Sequence, residues 1–312
     1  MANTLSTYTA MDHTSDAGFR AWGAEFHASL VSIGLTLTSD TGQINWTTVT
    51  RPAITVSAGY EIWRFNDTLQ ATTPIFIKLE YGTGGTATYP TMWITVGNGS
   101  NGSGTLTGLT SSKCQCGYSV APLSTTNVYF SRFVYNPTLG FFGFAWKISL
   151  GVLNVCYESA FVFRSCDSTG AATSTSVQLL TNDNTVTATG KYGVMQCLNY
   201  TTSLIYPPTP ATQGGYWSNH VFGQTTTVWG TSSNISVDPV FYLTPTLGVT
   251  QCLGRALTTE ISVHSYATST LVGSTAHNYL QIGYAFSSTT NYTGADAAAL
   301  TLGTLGIMML WE

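Results

Sequence analysis

Five histidines are the first residues to test for acid–base or metal chemistry: His13, His27, His220, His264 and His277. None lies in an H-E-x-x-H helix motif or beside a recognisable nucleophile motif. The densest polar cluster is D-H-T-S-D, with Asp12 and Asp16 flanking His13. It immediately precedes an amphipathic segment, where Ser15 or Asp16 serves more simply as a helix cap. Catalysis by two carboxylates needs a pair of acids held about 5–10 Å apart in a cleft, and the 14 acids here are spread thinly. Asp183 in TNDN fits a turn better than a calcium loop, which requires acids at fixed further positions.

The six cysteines are Cys114, Cys116, Cys156, Cys166, Cys197 and Cys252. Cys114 and Cys116 form a C-x-C pair that would share one face of a strand. A zinc site needs two more soft ligands at suitable spacing, and no second close Cys or His pair exists. In a long chain that opens without a signal-peptide pattern the cysteines are expected to stay reduced, as free thiols. The expectation for chemistry as a whole is a non-enzyme without catalytic, cofactor-binding or metal-binding residues.

Composition sets the next constraint. Charged residues make up 8% of the 312 and hydrophobic residues 43%, against roughly 25% charged in typical soluble domains. With 8 Trp, 17 Tyr and 14 Phe the chain is not of the disordered type. Only four lysines occur, Lys78, Lys113, Lys147 and Lys191, so much of the surface must be Thr, Ser, Asn, Gln and Gly. Interface cores are depleted in charge and enriched in aromatics and Met, which points to a protomer that works in contact with others. Net charge is −4 with no block of like charge, which excludes a basic groove for nucleic acid and a polybasic membrane face. No run approaches the roughly 20 apolar residues of a membrane helix, so no membrane insertion is expected. The opening MANTLSTYTAMDHTSDAG has no basic start and no apolar core, so it does not read as a signal peptide.

The elements that must position these residues are mostly strands. One helix is predicted from residue 16 onward, because Phe19, Trp22, Phe26, Leu30 and Ile33 recur at three- and four-residue intervals, with Gly34 to end it. Phe19, Trp22 and Phe26 are its candidate packing or docking residues, and His27 flanks that row. The period then changes to two. Ile54, Val56, Ala58, Tyr60 and Ile62 alternate with Thr55, Ser57, Gly59 and Glu61, predicting a half-buried strand with Glu61 on its polar face. Ile75, Ile77, Leu79 and Tyr81 form the apolar face of a second strand, with Lys78 and Glu80 available as a surface pair on the other. MWITVG makes a third strand, followed by turn dipeptides Asn98-Gly99 and Asn101-Gly102. Further strands are expected in NVYFSRFVYN, KISLGVLNVCY, SAFVFRSC, KYGVMQCLNY, HVFGQTTTVWG, PVFYLTP, EISVHSY and YLQIGYAFSS, and the terminal LGTLGIMMLW reads as a buried strand or a docking segment. Pro207, Pro208 and Pro210 bar the stretch around them from a central strand and mark a surface loop or arm. The fold class is mainly β, an antiparallel sandwich or barrel-like architecture with one amphipathic helix near the N-terminus. Residues 1–110 read as a helix-plus-strand module suited to docking and 111–312 as a β-rich domain with long loops.

Three passages, SDTGQINWTTV, GYEIWRFNDTLQATTPIFIKLEYGTG and PTMWITVGNGSNGSGTLTG, lie within residues 39–108. Together they resemble the amino-terminal region of uncharacterised virion structural proteins of tailed bacteriophages. The resemblance implies a tail, baseplate or head decoration component made in the host cytoplasm and incorporated into the virion as a homo-oligomer beside other virion proteins. The alternative is a receptor- or glycan-binding tail protein, with Trp217 and Trp229 as contact aromatics stacking on a host surface glycan. A virion-associated glycan-degrading enzyme is the third class, and it would need two acids converging in a groove.

Overall fold

Backbone pairing between strands, rather than helix formation, organises this chain. The computed structural model describes residues 3–11, 15–83, 90–116, 127–150, 154–166, 171–181, 195–206, 234–235, 240–243, 251–255, 258–261, 268–271, 277–285 and 305–310. The amino-terminal elements are β1 (Asn3–Met11), α1 (Asp16–Ile33), β2 (Thr36–Leu37), β3 (Ser57–Arg64), β4 (Phe76–Thr83), β5 (Pro90–Ser100), β6 (Leu106–Thr110) and β7 (Cys114–Cys116). A run of long strands follows: β8 (Asn127–Asn136), β9 (Phe141–Leu150), β10 (Asn154–Cys166) and β11 (Ala172–Thr181), then the shorter β12 (Met195–Asn199) and β13 (Leu204–Tyr206). The remainder comprises β14 (Asn234–Ile235), β15 (Val240–Leu243), β16 (Gln251–Arg255), β17 (Thr258–Ile261), β18 (Thr268–Leu271), β19 (His277–Ala285) and β20 (Leu305–Leu310). The protein is mainly β with antiparallel sheets and one helix near the start of the chain. Among the described residues no helix is long and apolar enough to cross a membrane.

Helix α1 begins where the Ser15 side chain accepts a hydrogen bond from the Gly18 N–H at 3.0 Å, satisfying one of the amide groups that a helix start leaves orphaned. It ends at Gly34, whose φ of +100° supplies the left-handed turn that lets the Leu35 N–H reach back to the Leu30 carbonyl. Phe19, Trp22, Phe26, Leu30 and Ile33 are all buried. The Phe26 ring meets Phe133 and Phe144 on one side and Tyr81 on the other, so the helix serves two sheets at once.

The first sheet runs β2-β3-β4-β5-β6, with β7 also paired to β5. Its core face carries Trp63, Ile77, Leu79, Tyr81, Met92, Ile94, Val96, Cys114 and Cys116. Three sequence expectations are corrected here. Ile54 and Val56 are exposed and β3 starts only at Ser57, while Glu61 points inward beside Trp63 and is 1% exposed. Glu61, Ile62 and Trp63 are all buried, so the end of β3 is covered on both faces, and hydrogen-bond donors from neighbouring elements make the core side hospitable to a carboxylate. Glu80 pairs with Lys113 at 2.9 Å rather than with Lys78, which lies over the Tyr60 ring. Asn98-Gly99 sits inside β5, where the Asn98 side chain accepts from the Leu109 N–H, and the turn falls at Asn101-Gly102.

The second sheet has the order β1-β8-β9-β10-β11-β12-β13, with β16 joined to β10 and β15 to β16. Phe133, Tyr135, Phe142, Phe144, Ala160, Val162, Val177, Leu179 and Leu198 belong to the same core cluster as the helix and the first sheet. The opposite side of these strands is buried as well, with Phe141 beside Phe161 and Phe163. Strands buried on both sides read as continuous apolar runs, which explains FVFRSC and FFGF. Strand pairing crosses residue 110: β1 pairs β8 over nine residues and β7 pairs β5. The KISLGVLNVCY segment contains the end of β9 and the start of β10, two strands rather than one. Strands β1 and β11 fall in Thr- and Ser-rich stretches that carry little apolar alternation. A five-stranded sheet, β14-β18-β19-β20-β17, includes the terminal segment as β20.

One ion pair ties the two sheets together. Arg164 on β10 is fully buried and grips Asp67 with two hydrogen bonds, Nε to Oδ2 at 2.6 Å and Nη2 to Oδ1 at 2.9 Å. Its Nη1 donates to the carbonyl and hydroxyl of Thr73. The loop between β3 and β4 is thereby fixed to the second sheet, and the Tyr135 and Tyr200 hydroxyls hold it at Asn66 and Pro74. Gly140, at φ +57°, is required by this arrangement, since a Cβ there would lie 2.7 Å from Arg164 Cδ. Breaking one side of a buried pair costs about 3–5 kcal/mol, whereas replacing both by apolar groups can be neutral. Arg164→Met should therefore lose stability of that order in urea denaturation, and the double variant Arg164→Met/Asp67→Leu should recover much of it.

Candidate functional site

The most concentrated polar chemistry among the described residues surrounds Glu61. The position sits where the inner face of β3 meets helix α1, and four donors converge on its carboxylate. Oε1 receives His27 Nδ1 at 2.6 Å and Trp46 Nε1 at 2.9 Å. Oε2 receives the Tyr81 hydroxyl at 2.6 Å and Trp63 Nε1 at 3.2 Å. An ionised carboxylate offers about four lone-pair positions, so this one is saturated. The two indoles can only donate, and the His27 proton must sit on Nδ1 for the same geometry to hold.

Each donor is placed by a different element: His27 by the helix, Trp46 by the loop after β2, Trp63 by β3 itself and Tyr81 by β4. Gly23 makes room for Trp46, because a Cβ at that position would fall 2.0 Å from the indole ring. The aromatic frame is continuous, with Trp46 edge-on to Tyr81 at 4.8 Å and Trp22 edge-on to Tyr81 at 5.8 Å. The hydrogen bond to Glu61 raises the His27 pKa above its ordinary 6.5; burial opposes the rise and the Glu61 charge assists it. Burial drives the Tyr81 hydroxyl well above its usual range, reinforced by the Glu61 charge. A histidine oriented by a carboxylate is part of a catalytic relay, but no hydroxyl or thiol nucleophile is hydrogen-bonded to the His27 ring among the described residues. Its hydrogen bonds join helix α1, the loop after β2, β3 and β4 at one carboxylate.

A second internal carboxylate does similar work at the far end of the first sheet. Asp40 accepts from Thr38 Oγ1 at 2.6 Å, from Ser100 Oγ and from the Gly104 N–H. Burial alone would raise its pKa, and these donors outweigh burial and lower it. The loop after β2 is in this way attached to the β5–β6 turn.

Phe19, Trp22 and Phe26 are placed together in the protein's own core, 0–3% exposed, where they cannot at the same time dock to another molecule. Trp217 and Trp229 lie outside the described residues, as do Asp12, His13, Asp183 and the prolines at 207, 208 and 210. Cys114 and Cys116 share the buried face of β7, and Cys197 is a buried free thiol. Burial pushes the Cys197 thiol up to about 12, which makes it a poor nucleophile. Among the described residues no group of three His, Cys, Asp or Glu could hold a metal ion. Glu61 and Arg164 were not singled out from the sequence. The available signal was a charged residue inside an aromatic-rich strand segment, GYEIWRF and SAFVFRSC. Comparison with protein-family models, curated proteins and solved structures finds no match for this chain.

Two outcomes test the Glu61 centre. Glu61→Gln replaces one acceptor oxygen by an amide nitrogen that can only donate, so the two donors on that oxygen lose their acceptor, at about 1–3 kcal/mol each. The variant should unfold at clearly lower urea than wild type. The second outcome concerns pH. Because folding raises the His27 pKa above 6.5, folding favours the protonated ring; the resulting stabilisation is complete below that value and lost as pH rises through the raised one. Urea midpoints should fall over that window in wild type, and the same fall should be diminished in His27→Gln.

Proposed function

We propose that this chain is a non-enzymatic structural subunit that acts by contact, a repeated component of a tailed-bacteriophage virion in its tail, baseplate or head decoration. The observation that carries this reading is the disposition of charge. Only 8% of residues are charged, and several of these are spent inside the fold: Glu61, Arg164, Asp67 and Asp40 are each engaged by internal partners. The surface is left with still fewer groups that repel neighbours. Monomeric proteins keep their surfaces charged and mixed, while contact surfaces are depleted in charge.

The polar centres support the same reading. Their hydrogen bonds join helix to sheet and sheet to sheet, an arrangement suited to a rigid building block. The resemblance of residues 39–108 to virion structural proteins supplies the setting. Sedimentation of the purified full-length chain at micromolar concentrations should show a discrete oligomer or a concentration-dependent series. A clean monomer across that range would count against a self-assembling subunit.

A further inference from the structure

The second sheet ends at β1, and among the described residues β1 pairs only with β8. Among the described residues no strand pairs its outer edge along these nine residues. Proteins usually blunt such edges with short strands, charges, prolines or bulges, because an open edge is a template for another chain. Among the described residues the other edge strands follow that practice in their length: β13 and β7 have three residues, β2 and β14 two, β6 five, and β15 and β17 four. Strand β1 does not. Its sequence NTLSTYTAM contains no charge and no proline, and its register with β8 runs unbroken from Asn3↔Tyr135 to Met11↔Asn127.

We propose that β1 is a self-complementary edge through which two copies of this chain join their sheets, antiparallel, about a two-fold axis. This rests on the reading of the chain as an assembly subunit and names its interface. A second copy is the favoured occupant because the edge offers no charge to select a charged partner, whereas an identical strand matches it in length. Centred on Thr7, the pairing sets Thr7 opposite its own counterpart, Ser6 opposite Tyr8, Leu5 opposite Thr9 and Asn3 opposite Met11. No like charges meet, and a Thr–Thr pair is favourable across antiparallel strands. An axis perpendicular to the sheet is isologous and leaves the same face of both sheets on one side, so both cores keep their positions.

The test uses the full chain in three forms. Across the axis the two Thr7 Cα atoms would lie about 4.5–5.5 Å apart, within the roughly 4.4–6.8 Å that a disulfide spans. Thr4 and its counterpart would be about 20 Å apart at about 3.4 Å per residue. Under mild oxidation Thr7→Cys should give a covalent dimer on a non-reducing gel, while Thr4→Cys and wild type should not. Ser6→Lys/Tyr8→Lys, with an unchanged circular-dichroism spectrum, should sediment as a smaller species than wild type. A wild-type chain that is monomeric overturns this proposal together with the assembly reading. A wild-type oligomer that the lysines leave intact and Thr7→Cys does not cross-link overturns the β1 interface alone and leaves the assembly reading standing.

Discussion

The structure depends on a carboxylate that has no access to water. Glu61 lies 1% exposed at the junction of helix, loop and sheet, where an ionised group without partners would cost far more than the protein's net stability. It is tolerable only because His27, Trp46, Trp63 and Tyr81 each bring a donor to it. Those donors come from four separate segments, so the carboxylate is satisfied only when helix α1, the loop after β2, β3 and β4 are all in their native places. A hydrophobic residue in the same position would fill space without specifying that geometry. The aromatic rings around it supply the burial, and the carboxylate fixes their orientation.

Arg164 plays the corresponding part between the sheets. Its guanidinium reaches from β10 to Asp67 and Thr73, close to a hundred residues earlier in sequence. The β3–β4 loop is thus held to the second sheet in addition to its own turns, in which the Thr72 and Thr73 N–H groups bond to the Leu69 carbonyl. With strand β1 paired to β8 and one core shared by helix and both sheets, the first hundred residues are not separable from those that follow. Glu61, Asp40 and the Arg164–Asp67 pair each place charge inside the fold, where internal partners satisfy it.

The helix was legible in the sequence because its apolar spacing, its serine cap and its terminal glycine all agree. Strands β4 and β5 were legible because one side is apolar and the other polar. What escaped has physical reasons. Glu61 falls on the polar side of β3 when alternation is taken to mean that a charge seeks solvent, and three of the four donors that reverse this lie 15 to 34 residues away in sequence. Strands β1 and β11 escaped because Thr and Ser serve a strand's backbone pairing without producing apolar alternation. Arg164 escaped although it is the one charge in an apolar run, because its partner Asp67 sits in a loop and nothing local connects them.

If the Glu61 centre is a permanent fastening of the fold, its protons should exchange with solvent only when the whole protein unfolds. Native-state hydrogen exchange of the Trp46 and Trp63 indole N–H groups measures this directly, since local openings and global unfolding have different free energies. The account predicts that both indole protons exchange at the global unfolding free energy and shift with it as urea is added. Exchange through a much smaller opening, insensitive to urea, would show a site that breathes and would contradict a purely structural role.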